Sequence, residues 1–469
     1  MRPTQSTRHY APLAGLFVVS LGASLATMDL AVNVAFPSIS AAFALETRSI
    51  RWVVICYVLT YSSLMLAFGK LGDRIGHRHV FRAGLLVSVL AFVLCALAAD
   101  YESLLAARIV QGVATALVLS CAPALATLLY DESKRLNALG SYASLTALAS
   151  VMAPLIGGAS IAALGWSGVF WFRAPLALLA LVLLPLLPHL HQPVARTRPG
   201  APNLTGSVLL ATSLAFLLLT PALLELSASA WFALLTAVIG LAAFWAFMKH
   251  ERRAHDPMLP LALVRNPDFV LLNLAGIVIH FVIFAVPLFV PYYLTRIGGY
   301  APFESGAVLA LWPVGILIGS ALAAKTAGIF GVRRTVLLGG ALVAVGSVTI
   351  ALWPKMPWLP VILGTLVLHG TGVGLFQVAY ADIVVSALPR GERGVAGSLT
   401  MVTRTVGVMS AATALTALLH TIESRQSATG ASDAAAFADA FVTVFLYSAL
   451  LLVAFFALSG LRRQSRFAR

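Results

Sequence analysis

A chain of 469 residues with 60% hydrophobic and only 10% charged side chains lies outside the composition of soluble globular proteins, where about a quarter of residues are charged. The net charge of +14 does not mark a nucleic-acid binder, because the cations fall in short clusters between apolar runs and not along one face. Cys56, Cys95 and Cys121 all lie inside apolar stretches, without metal-ligand or paired spacing, so they read as small core residues. The first apolar run is too long for the core of a cleavable leader and reads as a retained span.

A span needs about 20 apolar residues. Fourteen runs meet that need, at 13–37, 50–68, 81–99, 103–129, 139–164, 167–188, 204–224, 230–248, 269–295, 304–323, 335–353, 358–386, 395–419 and 438–460. With the N-terminus in the cytoplasm and sides alternating, inside segments hold 23 of the 31 Lys and Arg residues and outside segments hold five. The remaining three, Arg108, Arg173 and Arg404, fall within spans. This bias predicts an all-α integral membrane protein of fourteen transmembrane helices with both termini cytoplasmic. Residues 324–339 align without gaps on 69–84, matching Lys325 with Lys70, Gly331 with Gly76, Arg333 with Arg78 and Gly339 with Gly84. The repeat predicts two pseudo-symmetric six-helix bundles, 1–188 and 268–460. Between them lies a linker, 189–267, with two inserted helices (204–224 and 230–248), and a basic tail occupies 461–469. The stretch 249–268 is charged with an apolar patch and is expected to lie along the membrane surface.

In chain order, the first residue with chemistry is Asp29, about eight residues from the outer end of its span. A carboxylate at that depth costs roughly 2.5–3.5 kcal/mol on insertion scales, so it is functional or paired by default. Asn33 is one i,i+4 step away. The run Gly69–Phe81 reads as a tight turn at the membrane surface: its glycines permit unusual dihedrals, Lys70, Arg74 and Arg78 suit an anionic leaflet, and Asp73 sits among cations as an ion-pair latch. Arg108, in the fourth span, has a depth similar to that of Asp29. A guanidinium favours an ionised acid and lipid burial disfavours it, so an acid balanced between the two can load and release a proton. The competing reading is a static pair that joins helices 1 and 4. In the fifth span Gly140, Pro154, Gly157 and Gly158 form a small-residue pattern suited to close packing and a bend.

Farther along, His280 sits mid-span, and His369 precedes Gly370, Gly372 and Gly374 with Gln377 two turns on. A lone intramembrane histidine is more often a hydrogen-bonded packing residue than a proton relay. Tyr292 and Tyr293 suit the outer aromatic belt. Three arginines against one deep acid argue against a cavity tuned solely for lipophilic dications. No nucleotide-binding motif, zinc spacing or hydrolytic triad occurs in the sequence. Pumping would therefore draw on an ion gradient, with no cofactor, and the chain does not read as an enzyme.

Several of these stretches resemble one family. Gly69-Lys70-Leu71-Gly72-Asp73-Arg74-Ile75-Gly76-His77-Arg78 closely resembles the loop between helices 2 and 3 of the major facilitator superfamily, Gly-x-x-x-Asp-Arg-x-Gly-Arg-Arg in outline. Met28–Pro37 resembles the first-helix motif of the fourteen-helix drug:proton antiporter branch, one residue shorter between Asp29 and Asn33 and without the usual Thr. Arg108-Ile109-Val110-Gln111-Gly112 resembles the family's Arg-x-x-Gln-Gly motif, which is associated with proton coupling. The spacing Gly140-x8-Ala149-x3-Ala153-Pro154-x2-Gly157-Gly158 matches the antiporter motif of exporters, with alanine at two of its glycine positions. Trp166–Pro175 resembles the turn between helices 5 and 6, with Arg173 in place of Asn.

The resemblance covers residues 10–420. It implies a proton-coupled antiporter that exports small amphipathic compounds by alternating access, with Asp29 and Arg108 as the coupling pair. Asn33, Gln111, Arg173, His280, His369, Gln377 and Arg404 are candidates for the substrate cavity. Gly69, Asp73, Arg74, Gly76 and Arg78 would form the latch, against Gly394–Ser398. The implied partners are a small-molecule substrate, protons and membrane lipid, without nucleic acid, for a monomer in a bacterial cytoplasmic membrane. Two other readings stay open: a proton-coupled carrier of one anionic metabolite, and a non-transporting receptor or scaffold, against which the membrane acid and the two-copy loop argue.

Overall fold

The computed structural model describes residues 5–130, 134–187, 204–225, 230–253, 267–355, 358–386 and 393–460. The regular structure of these residues is helical, as expected where lipid leaves backbone polar groups no outside partner. Twelve helices among the described residues are long and apolar enough to cross a membrane, and a pair bent by 45°, Thr47–Met65 with Ala67–Ile75, would make a thirteenth. The run at 204–224, expected as a span, contributes a shorter apolar stretch, Val208–Leu217. The expected surface segment 249–268 lies largely outside the described residues.

The chain divides into two compact units. The first comprises Met1–Ala35 and Trp52–Pro257. It contains α1 (Gln5–Thr27) and α2 (Leu30–Val34). In the second, α3 (Phe36–Ala42) belongs with Phe36–Arg51 and Met258–Arg469. The first unit continues with α4 (Arg51–Ile75), α5 (His77–Ala96), α6 (Tyr101–Leu128), α7 (Arg135–Leu164), α8 (Gly168–Trp171), α9 (Arg173–Val182), α10 (Leu204–Glu225) and α11 (Ala230–Glu251).

Its core joins Val18 and Val19 of α1, Phe81, Leu85 and Phe92 of α5, Cys121 and Leu125 of α6, and Ala177 of α9. On α7, a Cβ added at Gly157 would lie 2.7 Å from Ala31 Cβ, so a small residue there lets α7 and α2 touch. α6 starts where Asp100 caps it: Asp100 Oδ1 accepts the Ser103 backbone N–H at 2.7 Å, which holds the carboxyl below its ordinary range. α10 and α11 share a Thr220–Thr236 hydroxyl bond of 3.0 Å. The outward residues of α11, including Trp231, Phe232, Leu241 and Trp245, are exposed and apolar, as lipid contact requires.

The turn expected at 69–81 is mostly helix. α4 runs to Ile75, α5 begins at His77, and Gly76 alone breaks the path with φ 97° and ψ 126°. A glycine that adopts positive φ without penalty makes a one-residue turn sufficient. The second unit repeats the device. Gly331, aligned with Gly76 in sequence, has φ 84° and ψ 152° between α15 and α16 of that unit (Leu311–Phe330 and Val332–Ala351).

The other helices of the second unit are α12 (Pro267–Ile283), α13 (Ala285–Arg296), α14 (Pro302–Leu309), α17 (Leu359–Ser386), α18 (Arg393–Ala428) and α19 (Asp433–Gly460). Tyr292 and Tyr293, expected in an outer aromatic belt, are instead buried inside this unit. Tyr292 OH shares a 2.6 Å hydrogen bond with Ser40 Oγ of α3, and the Tyr293 ring stacks on Phe441 at 4.9 Å between centroids. Each phenol ring fills a core position that the sequence pattern alone assigned to the interface.

Candidate functional site

The first unit builds a polar centre around Asp29. The first span does not run as one regular helix: Ala31 N–H bonds to Met28 O at 3.1 Å and Val32 N–H to Asp29 O at 2.9 Å, a tightened i→i−3 pattern between α1 and α2. Such stretches within a span mark positions where the helix path changes. Asp29 sits at this junction. Four residues beyond Asn33, Pro37 has no N–H to close on the Asn33 carbonyl, which favours the second interruption at Ala35.

Both carboxylate oxygens of Asp29 are engaged. Oδ1 accepts from Arg108 Nη1 at 2.7 Å, Arg173 Nη1 at 2.9 Å and Gln111 Nε2 at 2.9 Å, while Oδ2 accepts from Arg108 Nη2 at 2.9 Å. The Arg108 contact is thus bidentate, the strongest form of ion-pair hydrogen bonding. Arg108 and Gln111, one turn apart on α6, are themselves joined by a 2.8 Å bond from Nη1 to Oε1. Arg108 Nε donates to the Val53 carbonyl of α4 at 2.9 Å, and its guanidinium carbon lies 4.2 Å from the centre of the Tyr57 ring. Arg173, at the start of α9, anchors Nε on the Val169 carbonyl at 2.8 Å and rests between Phe92 and Phe170.

The side chains of Arg108 and Arg173 are 1% and 0% exposed and that of Asp29 is 16% exposed. One carboxylate therefore faces two sealed guanidiniums. The cluster carries one net positive charge with Asp29 ionised and two with it protonated. The α1–α2 junction meets α4, α5, α6, α8 and α9 here, and the single partly open group is the acid.

The structure brings Asp29, Arg108, Gln111 and Arg173 together. Asn33, half-buried one turn on, is not among the groups that reach Asp29. Pro154, Gly157 and Gly158 are buried on α7 beside α2, while Gly140 faces open space. Arg173, a cavity candidate by sequence, is fully enclosed because its guanidinium is the second clamp on the acid. His369 is likewise fully buried: Trp312 Nε1–H donates to its Nδ1 at 3.0 Å. An indole N–H only donates, so Nδ1 accepts and the ring proton resides on Nε2. Gln377 is half-buried on α17.

His280 is 5% exposed and its Nδ1–H donates to the Gly276 carbonyl at 2.6 Å. Arg404 is exposed on α18. In the latch stretch Asp73 is exposed and pairs with His77 Nε2 at 3.2 Å, Arg74 is exposed, and Arg78 Nη2 reaches the Leu184 carbonyl at 3.5 Å. A Cβ added at Gly69 would make an ordinary 3.9 Å contact with Ser120 Cβ. The side chains of residues 394–398, the expected seat of that latch, lie outside the described residues.

Sequence reasoning missed the aromatic enclosure formed by Tyr57, Phe92 and Phe170. A tyrosine in mid-span was a usable signal for the first; the phenylalanines gave none, since phenylalanine is common in lipid-facing runs. It also missed a hydroxyl and amide group in the second unit, where Tyr380 OH donates to Asn273 Oδ1 at 3.3 Å and shares a 3.1 Å bond with Thr403 Oγ1.

Among known proteins, the chain is 27% identical to a methylenomycin A resistance protein of Bacillus subtilis, across 86% of this chain and 87% of that one. It is 24% identical to the riboflavin transporter RibZ of Clostridioides difficile, across 82% and 83% of the two chains. The crystal structure of the nucleoside transporter NupG superposes with a TM-score of 0.69 at 12% identity, covering 96% of this chain and 99% of that one. The family description Major Facilitator Superfamily matches residues 13–412, and the chain therefore belongs to this superfamily of integral membrane transporters.

Proposed function

We propose that this transporter is a proton-coupled antiporter of the fourteen-helix drug:proton branch, exporting small amphipathic compounds by alternating access. The observation that carries the reading is the Asp29 centre, an intramembrane acid whose oxygens accept four hydrogen bonds from two cations and an amide while one edge stays open. Asp29 is the proton carrier and Arg108 its ionic partner. Proton arrival neutralises the carboxylate and releases the guanidiniums, and this change in charge is the event that drives the switch of access. Relatives named as resistance proteins support export. One proton crossing 100 mV supplies about 2.3 kcal/mol, enough for a roughly 50-fold gradient of a neutral solute.

In this reading α4 and α10 complete fourteen spans, both termini face the cytoplasm of a bacterial cell, and α10 and α11 form the insertion between two six-helix bundles. Asp73 and its flanking cations form the cytoplasmic latch. A second reading, a carrier of one anionic metabolite, is favoured by the excess of intramembrane arginine and by the riboflavin transporter among the relatives.

Inverted membrane vesicles energised to an acid interior test the proposal. A fluorescent cationic or neutral amphipath is expected to accumulate in vesicles that contain the protein and to leak out when a protonophore collapses the gradient. Accumulation that is indifferent to the protonophore would refute proton coupling.

A further inference from the structure

The second unit holds an intramembrane cation that the Asp29 centre does not use. Arg404 lies about eleven residues into α18, roughly 16 Å along the helix axis, and its side chain is exposed. Among the described residues it belongs to none of the ion pairs. The one deep acid, Asp29, is already taken by two guanidiniums.

Among the described residues, the polar side chains bonded to one another near Arg404 in the fold are hydroxyls and an amide. Thr403 is its neighbour in sequence and, with Tyr380 and Asn273, forms the hydroxyl and amide group described above. The register against α12 is set by Gly407, one turn farther along α18. A Cβ there would lie 2.7 Å from His280 Cβ. Arg404 is thus one turn along α18 from the point where Gly407 meets His280. His280 spends its Nδ1–H on Gly276, so the ring is held in one orientation.

A charged side chain within a span is retained where it faces a polar space or a partner. Arg404 has the exposure and, among the described residues, no ion-pair partner, so its counter-charge comes from a ligand. We propose that Arg404, next in sequence to Thr403 of the Tyr380–Asn273 hydrogen-bond group and one helical turn from the Gly407–His280 contact, is an anion-recognition subsite that takes the carboxylate of an amphipathic acid. The planar guanidinium matches a carboxylate through two parallel N–H bonds. A single guanidinium suits one negative charge, not a phosphate dianion. This adds a substrate class to the transport reading and rests on it: the exported compounds include amphipaths that bear one acidic group.

A matched pair of probes isolates that charge. Binding of 1-naphthylacetate and of 1-naphthylacetamide to purified protein in phosphatidylcholine nanodiscs is followed by tryptophan fluorescence, for wild type, Arg404→Gln and Arg404→Lys. The acid is expected to bind wild type about tenfold or more tightly than the amide, the gap that one charge-assisted hydrogen-bond pair provides. Arg404→Gln is expected to close that gap while still binding the amide, and Arg404→Lys to keep part of it, which shows that the variants fold. Equal binding of the two probes, no binding of either at millimolar concentration, or a gap that survives Arg404→Gln overturns the subsite. So does competition by phosphatidylglycerol that abolishes acid binding, which assigns the arginine to a lipid headgroup. Binding does not depend on proton coupling. Equal binding with protonophore-sensitive transport sinks this inference alone, and a preference for the acid without such transport sinks the antiport reading alone.

Discussion

At the scale of single residues, the Asp29 centre is a charge ledger of one against two. Removing the acid alone leaves Arg108 and Arg173 buried without a counter-ion, a change that costs about 3–5 kcal/mol in buried pairs. Removing Arg173 alone leaves a neutral Asp29–Arg108 pair that keeps three of the four hydrogen bonds to the carboxylate. Thermal melting in detergent is therefore expected to rank Arg173→Asn close to wild type, Asp29→Asn lowest, and Asp29→Asn/Arg173→Asn between them. A double variant as unstable as Asp29→Asn would contradict the ledger. The pairing of Asp29 with Arg108 was legible from their matched depths in two spans. That Arg173 completes the clamp was not: 144 residues separate it from Asp29, and its depth gives no azimuth. Tertiary packing of α9 against α5, with the guanidinium between Phe92 and Phe170, decides where it points.

At the scale of elements, glycines decide where helices turn and touch. Gly76 and Gly331 occupy the same place in the two-copy repeat and share positive φ. Gly76→Ala and Gly331→Ala are each expected to destabilise by roughly 1 kcal/mol, because alanine resists that conformation. The same substitution at Gly140, which faces open space, is expected to leave melting and transport intact. Gly157→Val is expected to push α7 off Ala31 and to lower transport well before Gly140→Ala has any effect. Equal effects at positions 140 and 157 would contradict the role given to the α7–α2 contact. Apolar run length made most of the spanning helices readable from sequence, since hydrophobic length is what the bilayer selects. The stretch 69–81 was harder, because its charged residues look like loop while their backbone stays helical on either side of one glycine. The burial of Tyr292 and Tyr293 was equally hidden, since position near a span end does not tell a lipid-facing ring from a core ring.

At the scale of the whole molecule, the arrangement of cations along the chain predicts sidedness. If α10 and α11 both span, the short connection at 225–229 faces outward and both termini face the cytoplasm. Ser227→Cys, in a background with Cys56, Cys95 and Cys121 replaced, is then expected to react with a membrane-impermeant maleimide added to intact cells, while cysteines placed at 198 or 466 stay unlabelled until the membrane is opened. Labelling of 198 from outside would remove α10 as a span and invert the topology of what precedes it. The superfamily assignment does not itself choose among substrates, since its fold hosts many cargoes. Choice lies in the side chains, and here those are one acid held by two arginines in the first unit and, among the described residues, the intramembrane Arg404 outside any ion pair in the second.

The most direct measurement is proton release from proteoliposomes on addition of an amphipathic substrate, wild type beside Asp29→Asn, with the folded state of both verified by melting. Release from wild type that is lost in Asp29→Asn is the predicted result. Release that survives Asp29→Asn undiminished would contradict the account and remove Asp29 as the proton carrier.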